Sequence, residues 1–219
     1  MNTHPDFQLL EAYASGTIDA VSGLVVAIHL ETCSDCRRYV NQFEDGSGVH
    51  FLEVSTEYSI EFDRMLNDIV SAEPVEDGIE ISDIATVEVA GKTFDLPKSL
   101  SRFADLVSDW RSYGGKVYSA QVELGEDARV NLLYIGEDVR IPQHTHKGLE
   151  STLVLHGGFS DEDGHYHAGD MMIRDGSARH SPYTKAGEDC LCLTVLTEPM
   201  LFTQGVARIF NLFGKGMYP

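Results

Sequence analysis

The spacing of apolar residues changes about one third of the way along the chain. Residues 6–16 read as a short helix, with Asp6 placed to cap its start and Gly16 to stop it. The stretch DAVSGLVVAIHLETCSDCRRYVNQFED (19–45) puts Val21, Leu24, Val25, Ile28 and His29, then Tyr39, Val40 and Phe43, at helical intervals. A turn near Thr32–Ser34 is expected to break it, because Ser and Asp favour caps over helix interiors. STEYSIEFDRMLNDIVSAE (55–73) then aligns Tyr58, Phe62, Met65, Leu66 and Ile69 on one stripe with acids opposite, predicting another amphipathic helix.

After that the period shortens. Pro, Gly and acids interrupt the helical pattern over 74–95, which reads as a linker. From residue 115 the chain runs in short alternating or apolar segments, KVYSAQVEL, ARVNLLYI, ESTLVLHGGFS, DMMIRD and CLCLTVLTE, spaced as in an all-β barrel or sandwich. The apolar tail VARIFNLFGKGMYP (206–219) is expected to pack on that barrel. The expectation is therefore an α+β, two-domain chain: a small helical bundle over 1–73, a linker over 74–95 and a β-barrel over 96–219. The helical part has a thin core, the kind that needs a staple.

Composition narrows the function classes. No run of about 18 apolar residues exists to span a bilayer. The start lacks a basic n-region and a long apolar h-region, so a cytoplasmic location is expected. The net charge of −19 argues against direct contact with nucleic acid. Residues 1–73 hold thirteen acids against three bases (−10), and the other 146 hold twenty-two against thirteen (−9), so acidity is densest in the helical part. Solubility explains that excess; a basic protein partner explains it more specifically. Four cysteines in a reducing compartment favour metal ligation or buried thiols over disulfides.

Two clusters of donors stand out. His29, Cys33 and Cys36 lie at i, i+4 and i+7, within about 60° on one helix face, or around a turn at Thr32. Thiolate and imidazole together suit zinc, which takes four ligands in structural sites. His4 and His50 are the available candidates for the fourth. Buried thiols with a satisfied histidine are the plain alternative, and a redox pair lacks the βαβ context it needs. Further along, PQHTHKGLESTLVLHGG offers His144, His146 and Glu150, all even-numbered and so on one face of an extended segment. Two imidazoles and a carboxylate inside a barrel suit a divalent ion.

At these residues the chain resembles known families. HPDFQLLEAYASGT and AIHLETCSDCRRYV resemble the zinc-binding anti-sigma domain of the ChrR group, with its His-x3-Cys-x2-Cys signature and an upstream histidine. His-x-His-x3-Glu-x6-Gly, ending at Gly157, resembles the first cupin motif, and DGSARHSP offers His180 as the later fourth ligand. Gly136 stands seven residues clear of His144 where that motif usually has five, and the second motif's Pro and Asn are missing.

The resemblance implies two zinc ions. One is held by His4, His29, Cys33 and Cys36; the other, or another divalent metal, is held in a cupin sensor domain by His144, His146, Glu150 and His180. It further implies a non-enzymatic regulator that sequesters an extracytoplasmic-function sigma factor and releases it when singlet oxygen or a peroxide is sensed. The competing expectation is a cupin dioxygenase or isomerase with a helical appendage. His156 shares the parity of Glu150 and so could line the barrel, but a buried, hydrogen-bonded histidine is the expected outcome; His165 and His167 fall in what reads as a turn, and none of the three is expected to be a ligand. Cys190 and Cys192, with Cα atoms about 6.6 Å apart on a strand, are expected to be buried thiols, with an oxidant-sensitive role as the alternative.

Overall fold

The computed structural model describes residues 3–52, 60–72, 84–125, 129–204, 206–209 and 211. Helices come first: α1 (Phe7–Ala14), α2 (Ala20–Thr32), α3 (Ser34–Leu52) and α4 (Ile60–Ser71). The Asp6 carboxylate accepts from Leu9 N at 2.8 Å and Asp19 caps α2 in the same way through Ser22 N at 2.9 Å. The expected turn falls on Cys33, whose extended backbone (φ −91°, ψ 101°) separates α2 from α3. Arg37 bridges the break, its guanidinium donating to the Leu30 and Glu31 carbonyls left open at the end of α2. Tyr39 OH donates to Glu11 Oε1 at 2.6 Å and ties α1 to α3.

The expected helix over 55–73 is present as α4 from Ile60, and residues 53–59 lie outside the described set. It differs from the expectation in one respect. Every described side chain from 61 to 72 is exposed, including Phe62, Met65, Leu66, Ile69 and Val70.

The linker expectation needs correction over its second half. Residues 86–95 form an antiparallel hairpin of β1 (Thr86–Val89) and β2 (Lys92–Asp95), and the short helix α5 (Lys98–Ser101) follows. The cause is local alternation: Val87, Val89 and Phe94 share a buried face, and Ala90–Gly91 supplies the two positive φ values the tight turn needs. Residues 74–83 lie outside the described set. The apolar residues of the hairpin and α5 join the helices to the outer face of the β-sheet in one continuous core. It runs from Leu10, Val25 and Cys36 through Val89 and Leu100 to Leu132 and Leu193. Glu31, near the end of α2, fastens the same junction by accepting from Lys98 N (2.9 Å) and Ser99 N (2.7 Å) at the start of α5.

The remaining elements are β3 (Arg111–Tyr113), β4 (Val117–Val122), β5 (Arg129–Ile135), β6 (His144–His146), β7 (Glu150–Ser160), β8 (His165–His167), β9 (Met171–Arg174), β10 (Cys190–Leu196) and β11 (Met200–Phe202). The large antiparallel sheet has the order β3-β4-β5-β10-β7-β8, with β9 also on β7, while β6 pairs with β11. Its central strands are buried on both faces, which is why CLCLTVL reads as a continuous apolar run. One face joins the helices; the other forms a second core of Leu133, Ile135, Val154, Phe159, Cys190 and Cys192. Cys190 and Cys192 are free, buried thiols with Sγ atoms 3.2 Å apart, in keeping with the default expectation. Beyond the short 3-10 turn Val206–Ile209, the apolar tail lies almost wholly outside the described residues.

Candidate metal centres

The turn at Cys33 gives the helical cluster its geometry. His29 leaves the last turn of α2, Cys33 sits at the break and Cys36 is in the first turn of α3. His4, from the extended stretch before α1, closes the group. His29 Nε2 lies 3.3 Å from Cys36 Sγ, and His4 Nδ1 lies 3.4 Å from Cys33 Sγ and 3.5 Å from Cys36 Sγ. A tetrahedral zinc with bonds of about 2.0–2.3 Å sets its ligands about 3.3–3.8 Å apart. These three separations fit that spacing, and all four donor atoms lie within 4.8 Å of one another. His50, the other candidate, is on α3, and its side chain is outside the described residues.

The surroundings reinforce the fit. His29 Nδ1 faces Gly169 O at 2.9 Å, so that nitrogen carries the proton and Nε2 offers its lone pair toward the cysteines. The Cys36 backbone N–H points at Cys33 Sγ from 3.5 Å. Burial, and then the neighbouring Cys33, push the free Cys36 thiol up to about 12, so this thiol ionises at neutral pH only against a cation, and a divalent ion is the cation these donors suit.

The cluster also rests on the barrel. Thr3 N donates to Asp170 Oδ1 at 2.9 Å, and Met171 N donates to Thr3 O at 3.1 Å. The turn between β8 and β9 thus holds both His29 and the extended stretch that carries His4.

The barrel cluster forms where β6 and β7 meet the segment before β10. An antiparallel bridge joins His144 and His180, with reciprocal N–H···O contacts of 3.1 and 3.2 Å. His144, His146 and His180 are all buried, with ring nitrogens within 4.8 Å of one another. Glu150 Oε2 lies 3.1 Å from His146 Nε2 and 3.6 Å from His180 Nε2. Those contacts are short but not aligned as hydrogen bonds. Both ring nitrogens of His146 and Nε2 of His180 are buried without a hydrogen-bond partner among the described residues. Each such orphan costs about 1–3 kcal/mol unless something else binds it. Lone pairs that converge on a point rather than on each other are what a divalent ion requires, and the donor set fits one.

Electrostatics agree with that geometry. Burial, then the charge of His180, lowers His144 to about 4, so it is neutral and able to ligate at physiological pH. Its Nδ1 donates to Pro142 O at 2.9 Å, leaving Nε2 free. Burial by itself would raise the Glu150 carboxyl; the His146 contact and the three imidazoles outweigh it and hold the group below its usual range. Asp161 behaves similarly: burial opposes ionisation, but His180 and Arg174 bring it to about 2. Asp161 Oδ2 stands 3.5 Å from His180 Nδ1 and 2.5 Å from Arg174 Nη2, while Arg174 Nη1 sits 2.9 Å from the same His180 nitrogen. Arg174, itself held by Asp161, is the hydrogen-bond partner of His180 Nδ1, and nothing in the sequence marks either residue for that place. Asp161 and Arg174 lie 19 and 6 positions from His180; the β7–β9 pairing brings Arg174 to it, and the Ser160–Tyr183 bridge brings Asp161.

The cluster opens onto a cavity of about 760 Å³, largely apolar, lined among others by Leu133, Ile135, Ile141, Phe159 and Phe202. His156 does not face it. A bulge at Leu155, where the β7–β10 register shifts, reverses the parity and turns His156 outward against Phe94, with ring centroids 5.0 Å apart. His165 and His167, read as part of a turn, form the short strand β8.

Comparison with known proteins follows the same division. Residues 110–199 match the family described as the ChrR Cupin-like domain. The anti-sigma-E factor ChrR of Cereibacter sphaeroides is 31% identical over 216 residues, covering 96% of each chain. The crystal structure of Rhodobacter sphaeroides SigE in complex with the anti-sigma ChrR aligns with a TM-score of 0.65 at 31% identity, over 89% of this chain and 98% of that one. A relationship of that extent covers the helices and the barrel alike, and the chain belongs to the ChrR family of anti-sigma factors.

Proposed function

We propose that this protein is a zinc-dependent anti-sigma factor: its helical part grips an extracytoplasmic-function sigma factor, and its barrel senses the oxidative signal that ends the grip. The observation that carries this reading is the pairing of two unlike donor sets, one thiolate-rich in the helices and one imidazole–carboxylate in the barrel, in a chain related to ChrR along nearly its whole length. His4, His29, Cys33 and Cys36 would hold the first zinc, and His144, His146, Glu150 and His180 a second divalent ion. Bound zinc supplies folding free energy to a bundle whose own core is small. The residues do the rest. Cys33 and Cys36 fix the angle between α2 and α3, and His29 and Thr3, the residue before His4, fasten that corner to the β8–β9 turn.

The partner surface follows from exposure and charge. α4 presents Phe62, Met65, Leu66, Ile69 and Val70 to solvent beside Glu61, Asp63 and Asp68, a face that suits an apolar groove with a basic rim. The site of action would be the cytoplasm, where such a partner meets RNA polymerase, and no helix among the described residues is long and apolar enough to cross a membrane. The apolar cavity beside the barrel donors gives a peroxide or other small oxidant a route to His144 and His180. No catalytic turnover enters the reading.

Co-expression with the candidate sigma factors of the host, followed by metal quantification of the purified complex, tests this. The expected result is one co-purifying sigma factor and about two zinc ions per chain. If no sigma factor is retained, and the chain instead carries one iron and consumes oxygen, the enzyme reading replaces this one. A finer expectation concerns α4. Leu66→Asp should weaken partner binding roughly tenfold to a hundredfold by titration, the range of a hot-spot residue, while leaving the melting temperature unchanged because the side chain is already exposed.

A further inference from the structure

His165, His167 and Glu188 form a third group of donors that neither metal centre uses. One ligand atom from each lies within 4.8 Å of the others. His165 Nε2 is 3.2 Å from Glu188 Oε1, and the two imidazole rings meet edge to face with centroids 4.2 Å apart. The first separation is already that of two ligands on one first-row ion, about 3.3 Å, and the His167 ring has to move by no more than about 1.5 Å to join them.

The surroundings prepare these groups rather than merely crowd them. Ser160 Oγ lies 2.7 Å from His165 Nδ1, and the Ser160 backbone is pinned by its own N–H to Tyr183 O at 2.8 Å. A serine hydroxyl can accept from Nδ1–H, and in that tautomer the Nε2 lone pair faces Glu188, the outer-shell arrangement usual for a ligating histidine. Gly158 makes room for the carboxylate. A Cβ there would lie 3.1 Å from Glu188 Oε1 and 2.4 Å from Tyr166 O, so any side chain would evict one of them. His167 is opposite Gly158 in the β7–β8 ladder, and its backbone N–H is held by Asp170 Oδ2 at 2.8 Å. A simple histidine–glutamate ion pair accounts for His165 and Glu188 but leaves the second imidazole, turned to the same point, without a purpose.

We propose that these three residues are a third, solvent-open metal site for a divalent ion of the imidazole-favouring class, Zn²⁺ or Cu²⁺. Two imidazoles and one carboxylate, with the remaining positions open to water, suit such ions over Ca²⁺ or Mg²⁺, which prefer all-oxygen shells. The ion binds reversibly, because three ligands with exposed edges hold it less firmly than the closed four-ligand set of the helices.

Equilibrium dialysis of the full-length, tag-free chain against buffered Zn²⁺ tests the site, with Cu²⁺ binding followed by electron paramagnetic resonance as the second readout. The wild-type chain takes up one more ion than His167→Ala at saturating zinc, and Glu188→Gln weakens uptake of that last ion at least tenfold. The copper spectrum shows imidazole nitrogen coupling that His167→Ala reduces. His167 is exposed, so its loss leaves the fold intact. The comparison is a difference of one ion between two chains, so it stands whether or not the other two centres are filled. Equal zinc stoichiometry for wild type and His167→Ala at every concentration overturns the proposal and leaves an ion pair.

Discussion

Cys33→Ser is expected to abolish partner binding while the barrel stays folded. Cys33 is only half-buried, so the serine hydroxyl finds water and introduces no orphaned polar group. What the substitution removes is one of four converging donors, the one 3.4 Å from His4 Nδ1 and accepting from Cys36 N. Structural zinc sites contribute about 10–16 kcal/mol of apparent binding free energy. Losing one ligand in four therefore removes roughly 3–4 kcal/mol, or a few hundredfold to a thousandfold in zinc affinity. A bundle whose core consists mainly of Leu10, Val21, Val25, Val26, Ile28 and Val40 has little margin to absorb that. The expected measurements are loss of one zinc per chain, no detectable complex with the sigma factor, and retention of the β-sheet signal in circular dichroism. A Cys33→Ser chain that still binds its partner at full strength would remove zinc from the account of how the helices are shaped.

The donors of both centres could be read from spacing because each set is local. Cys33 and Cys36 share one turn, and His144, His146 and Glu150 are close in sequence, although the chain bends at Lys147–Gly148 and Glu150 starts β7 instead of continuing the extended run of β6. His4 is one of two histidines the sequence leaves open for the fourth position and resemblance selects it, while His180 rests on resemblance alone, since their places depend on how the chain returns across 25 and more residues. Parity failed at His156 because one extra residue at Leu155 reverses the facing of everything after it, and no composition signal marks a bulge. The 86–95 hairpin was hidden for another reason. Its acids and glycine look like linker chemistry, while the Val87, Val89 and Phe94 face that decides its fate is only three residues long. Its presence changes the picture of the molecule: the helices and the barrel do not swing on a free tether over these residues but share a core through them. The orienting pairs, His29 with Gly169 and His180 with Asp161 and Arg174, were out of reach of sequence because they exist only once that core has formed.

That shared core makes Gly157→Ala the most damaging small substitution in the barrel. Gly157 ends the His-x-His-x3-Glu-x6-Gly pattern, pairs with Cys190 in the sheet and has φ +64°, a region that costs an L-residue about 1–2 kcal/mol. The larger penalty is steric. A Cβ at this position would lie 1.9 Å from the Asp189 carbonyl oxygen, a backbone atom that cannot swing aside without pulling β10 away from β7. The total belongs to the exceptional class of single changes, above about 4 kcal/mol. Gly91→Ala is the control, because Gly91 shares a positive φ (74°) but has open space where the Cβ would go. It should lose only the backbone part, about 1–2 kcal/mol. Urea unfolding of the two variants should therefore separate them by at least about 2 kcal/mol, and equal losses would mean that the β7–β10 contact yields easily. The damage should also reach the helices. Gly157 O accepts from Ala168 N at 3.1 Å, and the next residue, Gly169, supplies the carbonyl that holds His29. A shift at Gly157 thus moves the turn on which the thiolate-rich centre rests. Weakened zinc retention in Gly157→Ala, with His4, His29, Cys33 and Cys36 all in place, would show that the state of the barrel is coupled to the donor cluster of the helices.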